Sequence, residues 1–166
     1  FAEHELESSS DEPVNPKWLF EPGAITLRLK ADHDLNLYQD LSHTIVLCAY
    51  QLSDPSPFIQ LTHSEDDVLK LLQCNRFDKS VASFQRIIVQ PGEDRRVKLD
   101  RAEKAKHLGL AAGYYTISPE HVTRLYHIPV VTKTSGIFVS NTVSKPGKLF
   151  VNLFLGPDEI QLAGKN

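Results

Sequence analysis

A chain of 166 residues with 41% hydrophobic and 23% charged side chains has the size and make-up of one globular domain. Its net charge of −3 excludes nucleic-acid binding through a global positive field. No apolar run is long enough to cross a bilayer, and the longest, Thr44–Tyr50 and Lys148–Leu155, are strand-sized. A sequence that opens on Phe1 and holds no Met is expected to have lost a leader or a longer N-terminus.

Residues 1–22 read as a flexible acidic tether. Phe1–Glu12 carries Glu3, Glu5, Glu7, Asp11 and Glu12 without Lys or Arg, around Ser8-Ser9-Ser10. Such a segment cannot bury enough apolar surface to offset its ordering entropy. Pro13, Pro16 and Pro22 stiffen the approach to a domain expected over 23–156. Its first strand is Ala24–Lys30, where Ile25, Leu27 and Leu29 alternate with Thr26, Arg28 and Lys30. Thr44–Leu52 is a second strand, ended by Asp54-Pro55-Ser56-Pro57.

A helix is predicted near 64–74. Ser64 stands as N-cap, Asp67 sits in a capping-box-like position, and Val68, Leu71 and Leu72 share one face. Phe58 and Leu61 are expected to pack beneath it. Strands over Ser83–Gln90 and Arg95–Leu99 flank a Pro91-Gly92-Glu93-Asp94 turn. Arg101–Lys106 reads as one helical turn. His107–Thr116 reads as a central strand in which Gly109 and Gly113 allow close packing. Arg124–Val131, Gly136–Val139 and Lys148–Leu155 complete about eight strands with one helix, which favours a mainly β protein, an antiparallel β-sandwich. Residues 157–166 read as a C-terminal tail.

The chain carries few motifs of known chemistry. The chain has no Gly-x-Ser-x-Gly elbow, P-loop, Gly-x-Gly-x-x-Gly or His-Glu-x-x-His. His33, between Asp32 and Asp34, lacks a second His or Cys nearby and reads as part of a solvated loop. The basic stretch Arg86–Lys106 is interrupted by acids and reads as a mixed solvated face. Cys48 and Cys74 are too few for a disulfide scaffold; a single bridge is open in an oxidising compartment, but two partly buried free thiols are the favoured reading. The loop after the first strand differs in kind. Asp32-His33-Asp34-Leu35-Asn36-Leu37-Tyr38-Gln39-Asp40, followed by Leu41, sets large apolar side chains among polar ones. Its residues allow two readings, a binding element or a lid folded back on the sandwich.

The ordered motifs resemble a known family. Ala49-Tyr50-Gln51-Leu52, then Ser53-Asp54 and Phe58, is similar to the Tyr-Gln-Leu-x-Asp and Phe of the second strand and its exit in the TssJ family, the outer-membrane lipoproteins of bacterial type VI secretion systems. Asp34-Leu35-Asn36 resembles the Asn-containing loop before that strand, and Leu69–Leu72 its helix. Val89-Gln90-Pro91-Gly92 resembles its Pro-Gly turn, and Leu108-Gly109-Leu110-Ala111-Ala112-Gly113-Tyr114 its Gly-Val-x-Ala-x-aromatic strand. The sequence departs from the family at Val122-Thr123-Arg124-Leu125, which lacks a usual Trp, and at Tyr114-Tyr115, where aromatic-Arg is usual.

The resemblance implies a two-sheet, transthyretin-like sandwich with a short helical insertion. It implies a lipidated Cys upstream of Phe1 that anchors the protein to the periplasmic face of the outer membrane. It further implies docking of the periplasmic C-terminal domain of a TssM-like inner-membrane protein on the loop Asp32–Leu41. Leu35, Leu37 and Tyr38 are expected to give apolar contacts there, and Asp32, Asp34, Asn36 and Asp40 polar ones. No catalytic residue, metal or cofactor is expected. The alternative is a periplasmic transthyretin-like small-ligand-binding module or enzyme.

Overall fold

The computed structural model describes residues 15–136 and 141–162. Strand β1 spans Glu21–Ala31. Its Ile25, Leu27 and Leu29 are fully buried, whereas Arg28 and Lys30 face solvent, as period-2 patterning requires. Strand β2, Ile45–Leu52, is covered on both faces. Ile45, Leu47 and Ala49 enter the main core, while Cys48, Tyr50 and Leu52 enter a second apolar cluster on the other side.

Two short helices make that second cluster, α1 (Ser56–Gln60) and α2 (Glu65–Leu71). The Ser64 hydroxyl caps α2, accepting from the Asp67 amide at 3.2 Å, and Glu65, Asp66 and Asp67 load the first turn with negative charge. Helix α1 was not expected; Pro55 and Pro57, read as strand breakers, also suit a helix start. Phe58 and Leu71 bury against Tyr50, whose hydroxyl donates to the Leu71 carbonyl. Burial pushes the Tyr50 phenol up to about 12. Gly109 lets the Phe58 ring lie on the sheet, since a Cβ there would stand 2.7 Å from the ring. Cys48 and Cys74 are bonded, with Cα atoms 5.3 Å apart. The free-thiol reading is therefore replaced by a staple from β2 to the end of the insertion, a long-range pairing that sequence spacing does not encode.

The remaining elements are β3 (Val81–Val89), β4 (Asp94–Arg101), β5 (His107–Ala112), α3 (Pro119–Val122), β6 (Thr123–His127), β7 (Val130–Ser135), β8 (Asn141–Pro146), β9 (Leu149–Leu155) and β10 (Ile160–Gln161). They form two four-stranded sheets, β10-β9-β1-β4 and β3-β2-β5-β6, and a separate β7–β8 hairpin. The main core lies between the sheets, joining Leu27, Leu29, Leu99 and Val151 of one to Leu47, Val89, Leu108 and Leu110 of the other. Strands β1 and β9 run parallel, and the other pairs are antiparallel.

The structure departs from the sequence reading in further places, among them α3 and β8, for which that reading has no element. The expected strand Arg124–Val131 is two, because Ile128-Pro129 interrupts it and proline offers the ladder no N–H. Arg101–Lys106 is no helix: Arg101 ends β4, and the next residues turn through Lys104 at φ +68°. Arg101 is also not part of a solvated basic face, being 2% exposed. The expected tether is ordered before its end, with the Trp18 carbonyl accepting from the Lys104 amide at 2.7 Å and β1 beginning at Glu21. Ile160–Gln161 of the expected C-terminal tail form β10, with Ile160 in the core. The expected strand Gly136–Val139 lies, after Gly136, outside the described residues, as do 1–14 of the tether and 163–166.

Register fixes two ends. Ala31 pairs with Leu155, Lys30 with Asp94, Ile45 with Val89 and Leu47 with Ala112. The Asp32–Thr44 loop, the β3–β4 turn, the end of β5 and the β9–β10 turn thus meet at one end. The start of β1 and the β4–β5 turn lie at the other, here called the base.

Candidate partner-binding site

The loop after β1 is built inward first and outward second. The Asp32 carboxylate accepts from the Asp34 amide at 2.8 Å, and the Asp32 carbonyl accepts from Leu35 at 3.0 Å. This local turn drives Leu35 into the core, where it is 0% exposed. Asn36 follows at φ +52°, a left-handed conformation that Asn tolerates better than most residues. Its Nδ2 donates to the Thr44 carbonyl at 3.3 Å and its Oδ1 accepts from the Tyr115 amide at 2.9 Å. One buried side chain thereby ties the middle of the loop to its last residue, Thr44, and to the segment after β5.

The outer half is a miniature hairpin. Tyr38 and Leu41 exchange backbone hydrogen bonds at 2.9 and 3.1 Å. Gln39 and Asp40 between them sit at φ +51° and +61°, the backbone of a two-residue primed turn. The Leu37 amide donates to the Pro157 carbonyl at 2.8 Å, and Gly92 donates to the Asp32 carbonyl at 3.0 Å. His33 lies over the Gly92 backbone, where a Cβ would approach its Nδ1 to 2.7 Å. The loop is thus held from three sides.

What this frame presents is apolar. Leu37 is 45% exposed, Tyr38 46% and Leu41 65%. Tyr38 stacks on exposed Tyr115 with ring centroids 4.4 Å apart and planes 12° from parallel. His43 meets Tyr115 edge-on at 4.9 Å, its Nδ1 3.1 Å from the Asn36 carbonyl. Tyr114 points the other way; its hydroxyl donates to the Glu159 carbonyl at 3.0 Å, and burial pushes its phenol well above the ordinary value.

Of the sequence-predicted site residues, the structure therefore brings Leu37, Tyr38 and Leu41 onto one exposed surface, with Asp32, His33, Asp34, Gln39 and Asp40 exposed around it. Leu35 and Asn36 are corrections. Both are buried in the domain, 0% and 3% exposed, so neither offers a side chain to a partner. Tyr115 and His43 were missed. The signal for Tyr115 was present, since alternation carried past Gly113 puts Tyr114 inside and Tyr115 outside.

A sequence profile of the family described as type VI secretion lipoprotein, VasD, EvfM, TssJ matches residues 23–142. The chain belongs to this family. No curated protein matches it in sequence. The type VI secretion lipoprotein fold is shared with solved structures at low identity. Serratia marcescens Lip, a membrane-bound component of the type VI secretion system, is 15% identical, with a TM-score of 0.63 over 87% of this chain and 100% of that one. The lipoprotein TssJ1 from Pseudomonas aeruginosa is 16% identical, with a TM-score of 0.60 over 87% and 98%. A chain in the structure of the TssM C-terminal domain from EAEC is 14% identical, with a TM-score of 0.60 over 85% and 98%. The chain is thus a β-sandwich of the TssJ type carrying a pinned, aromatic-tipped loop.

Proposed function

We propose that this type VI secretion lipoprotein is a non-catalytic adaptor. A lipid on a Cys upstream of Phe1 holds it on the periplasmic face of the outer membrane, with Phe1–Glu12 as spacer. The loop end docks the periplasmic C-terminal domain of a TssM-like inner-membrane protein. The observation that carries this reading is the pinned loop that holds Leu37, Tyr38 and Leu41 out to solvent. A monomer gains nothing from exposing three large apolar groups on a rigid support, whereas an interface uses such groups as preorganised anchors. Tyr115 extends the surface through its stack on Tyr38. The exposed carboxylates Asp32, Asp34 and Asp40 form an acidic rim suited to partner Lys or Arg.

The test is a titration against the purified C-terminal domain of the TssM-like protein from the same genome. Saturable binding that weakens with Tyr38→Ala and with Leu41→Ser supports the adaptor. An intact chain that does not bind removes it and favours the ligand-binding or enzymatic sandwich.

A further inference from the structure

The base carries a second group of exposed apolar side chains, far from the loop. Leu19 is 58% exposed, Phe20 61% and Phe150 72%. They are held there by a buried charge. The Arg101 guanidinium, 3% exposed, pairs with Glu21 at 3.0 Å and donates to the Leu19 carbonyl at 2.9 Å and the Gly147 carbonyl at 3.5 Å. One side chain thus draws the segment before β1 against the turn before β9. The Lys104 amide on the Trp18 carbonyl and the Gly23 amide on the Asp100 carboxylate fix the same segment from its other side. Leu19 and Phe20 are exposed on a rigid backbone, so their exposure is not fraying.

The charges around them are biased. Lys17, Lys104 and Lys148 are exposed at this end, and none is in an ion pair among the described residues. Of the acids there, Glu21 is paired with Arg101, while Asp100, which accepts from the Gly23 amide, and Glu103 stay exposed, so the three lysines outnumber the free carboxylates of this turn. Exposed Phe and Leu ringed by Lys suit one environment above others, the interface of a bilayer with anionic headgroups. The rings enter the acyl boundary and the ammonium groups reach the headgroups.

The course of the chain names the occupant. We infer that Leu19, Phe20 and Phe150, with Lys17, Lys104 and Lys148, make a second, non-covalent contact with the membrane that carries the lipid anchor. The inference rests on the reading of the protein as lipid-anchored. The chain enters the sandwich at this end, through residues 15–20, so an N-terminal anchor brings this end to the lipid. An N-terminal anchor keeps the patch at high local concentration over the bilayer, so a contact too weak to recruit a free protein suffices to orient an anchored one. With the base on lipid, the loop end faces away from the membrane, toward a partner that crosses the periplasm.

Trp18, the one Trp in the chain, adjoins the patch and supplies the probe. Because Cys48 and Cys74 are bonded, a single Cys added before Phe1 is the one reactive thiol for coupling to a maleimide lipid. The coupled chain is placed on vesicles of phosphatidylcholine and phosphatidylglycerol whose acyl chains carry bromine, and Trp18 fluorescence is read. The expected result is strong quenching in the intact chain. It should fall about tenfold in partition constant for the doubly substituted F20S and F150S chain, and weaken with Lys17→Glu and Lys148→Glu. Both Phe side chains are mainly in solvent, so these variants keep their fold and their partner titration. That titration keeps failure of this inference distinct from failure of the adaptor reading. Three results would overturn it: an intact anchored chain whose Trp18 is unquenched, a doubly substituted chain quenched as strongly as the intact one, or self-association of the intact chain without vesicles that disappears with F20S and F150S, which would assign the patch to a second copy.

Discussion

Tyr38 and Asn36 stand two positions apart and do opposite work. Tyr38 projects from a hairpin whose backbone hydrogen bonds do not involve its side chain. Tyr38→Ala is expected to weaken partner binding by roughly 1–2 kcal/mol and to leave the urea unfolding midpoint nearly unchanged. Asn36→Ala removes two buried side-chain hydrogen bonds at a left-handed position. It should cost about 1–3 kcal/mol of stability in the same unfolding assay and disturb binding only through the loop's position. This division was not legible in the sequence. Leu35 and Leu37 are the same residue in the same loop, and an irregular segment has no period to tell inside from outside. Only the turn made by the Asp32 carboxylate decides which leucine is swallowed.

At the level of elements, regular alternation was easy to read and shared cover was not. β1 shows its faces directly, because one side meets the core and the other meets water. β2 reads as a continuous apolar run because the helical insertion covers its outer side, and nothing local announces that α1 and α2 fold back on it. The disulfide closes that excursion over a separation of 26 residues. Its reduction is expected to lower stability by about 3 kcal/mol and to speed proteolysis of 53–80 first, readable by mass spectrometry of early fragments. Gly109→Ala presses on Phe58 from the sheet side and should cost about 1–3 kcal/mol without altering the loop end.

The β5–β6 pair carries a pH dependence of its own. His107 faces His127 across the strands, with ring centroids 4.7 Å apart. Burial first, then His127 and Lys106, hold His107 below the ordinary imidazole value of 6.5, against the pull of Asp54. The unfolded chain therefore takes up this proton more readily than the folded one, and stability is lost as pH falls below 6.5 toward the folded value. Urea midpoints taken at about pH 7.5 and about pH 5.5 should drop on acidification, and by less in His107→Gln. A His107 proton resonance that titrates at or above the ordinary value would contradict this.

The whole molecule has two ends separated by a sandwich, the aromatic-tipped loop at one and the segment gathered by Arg101 at the other. The sequence conveys the sandwich because each strand must solve the same burial problem, and the ordered motifs from Asp34 to Tyr114 then narrow it to one family. It does not convey the ends. Tyr115 and Tyr38 are 77 positions apart in sequence and meet only through the fold, and at the base Arg101 likewise gathers the Leu19 and Gly147 carbonyls from 82 and 46 positions away. The buried Leu35 and Asn36 also decide how the central claim is tested, since deleting the loop would remove core along with contact surface. The direct measurement is calorimetric titration of the TssM-like C-terminal domain into the intact chain and into a chain substituted at Tyr38 and Leu41 alone. The adaptor account predicts saturable binding that weakens at least tenfold in the substituted chain, with equal unfolding midpoints. Equal affinity for the two chains would contradict it and move the docking surface away from this loop.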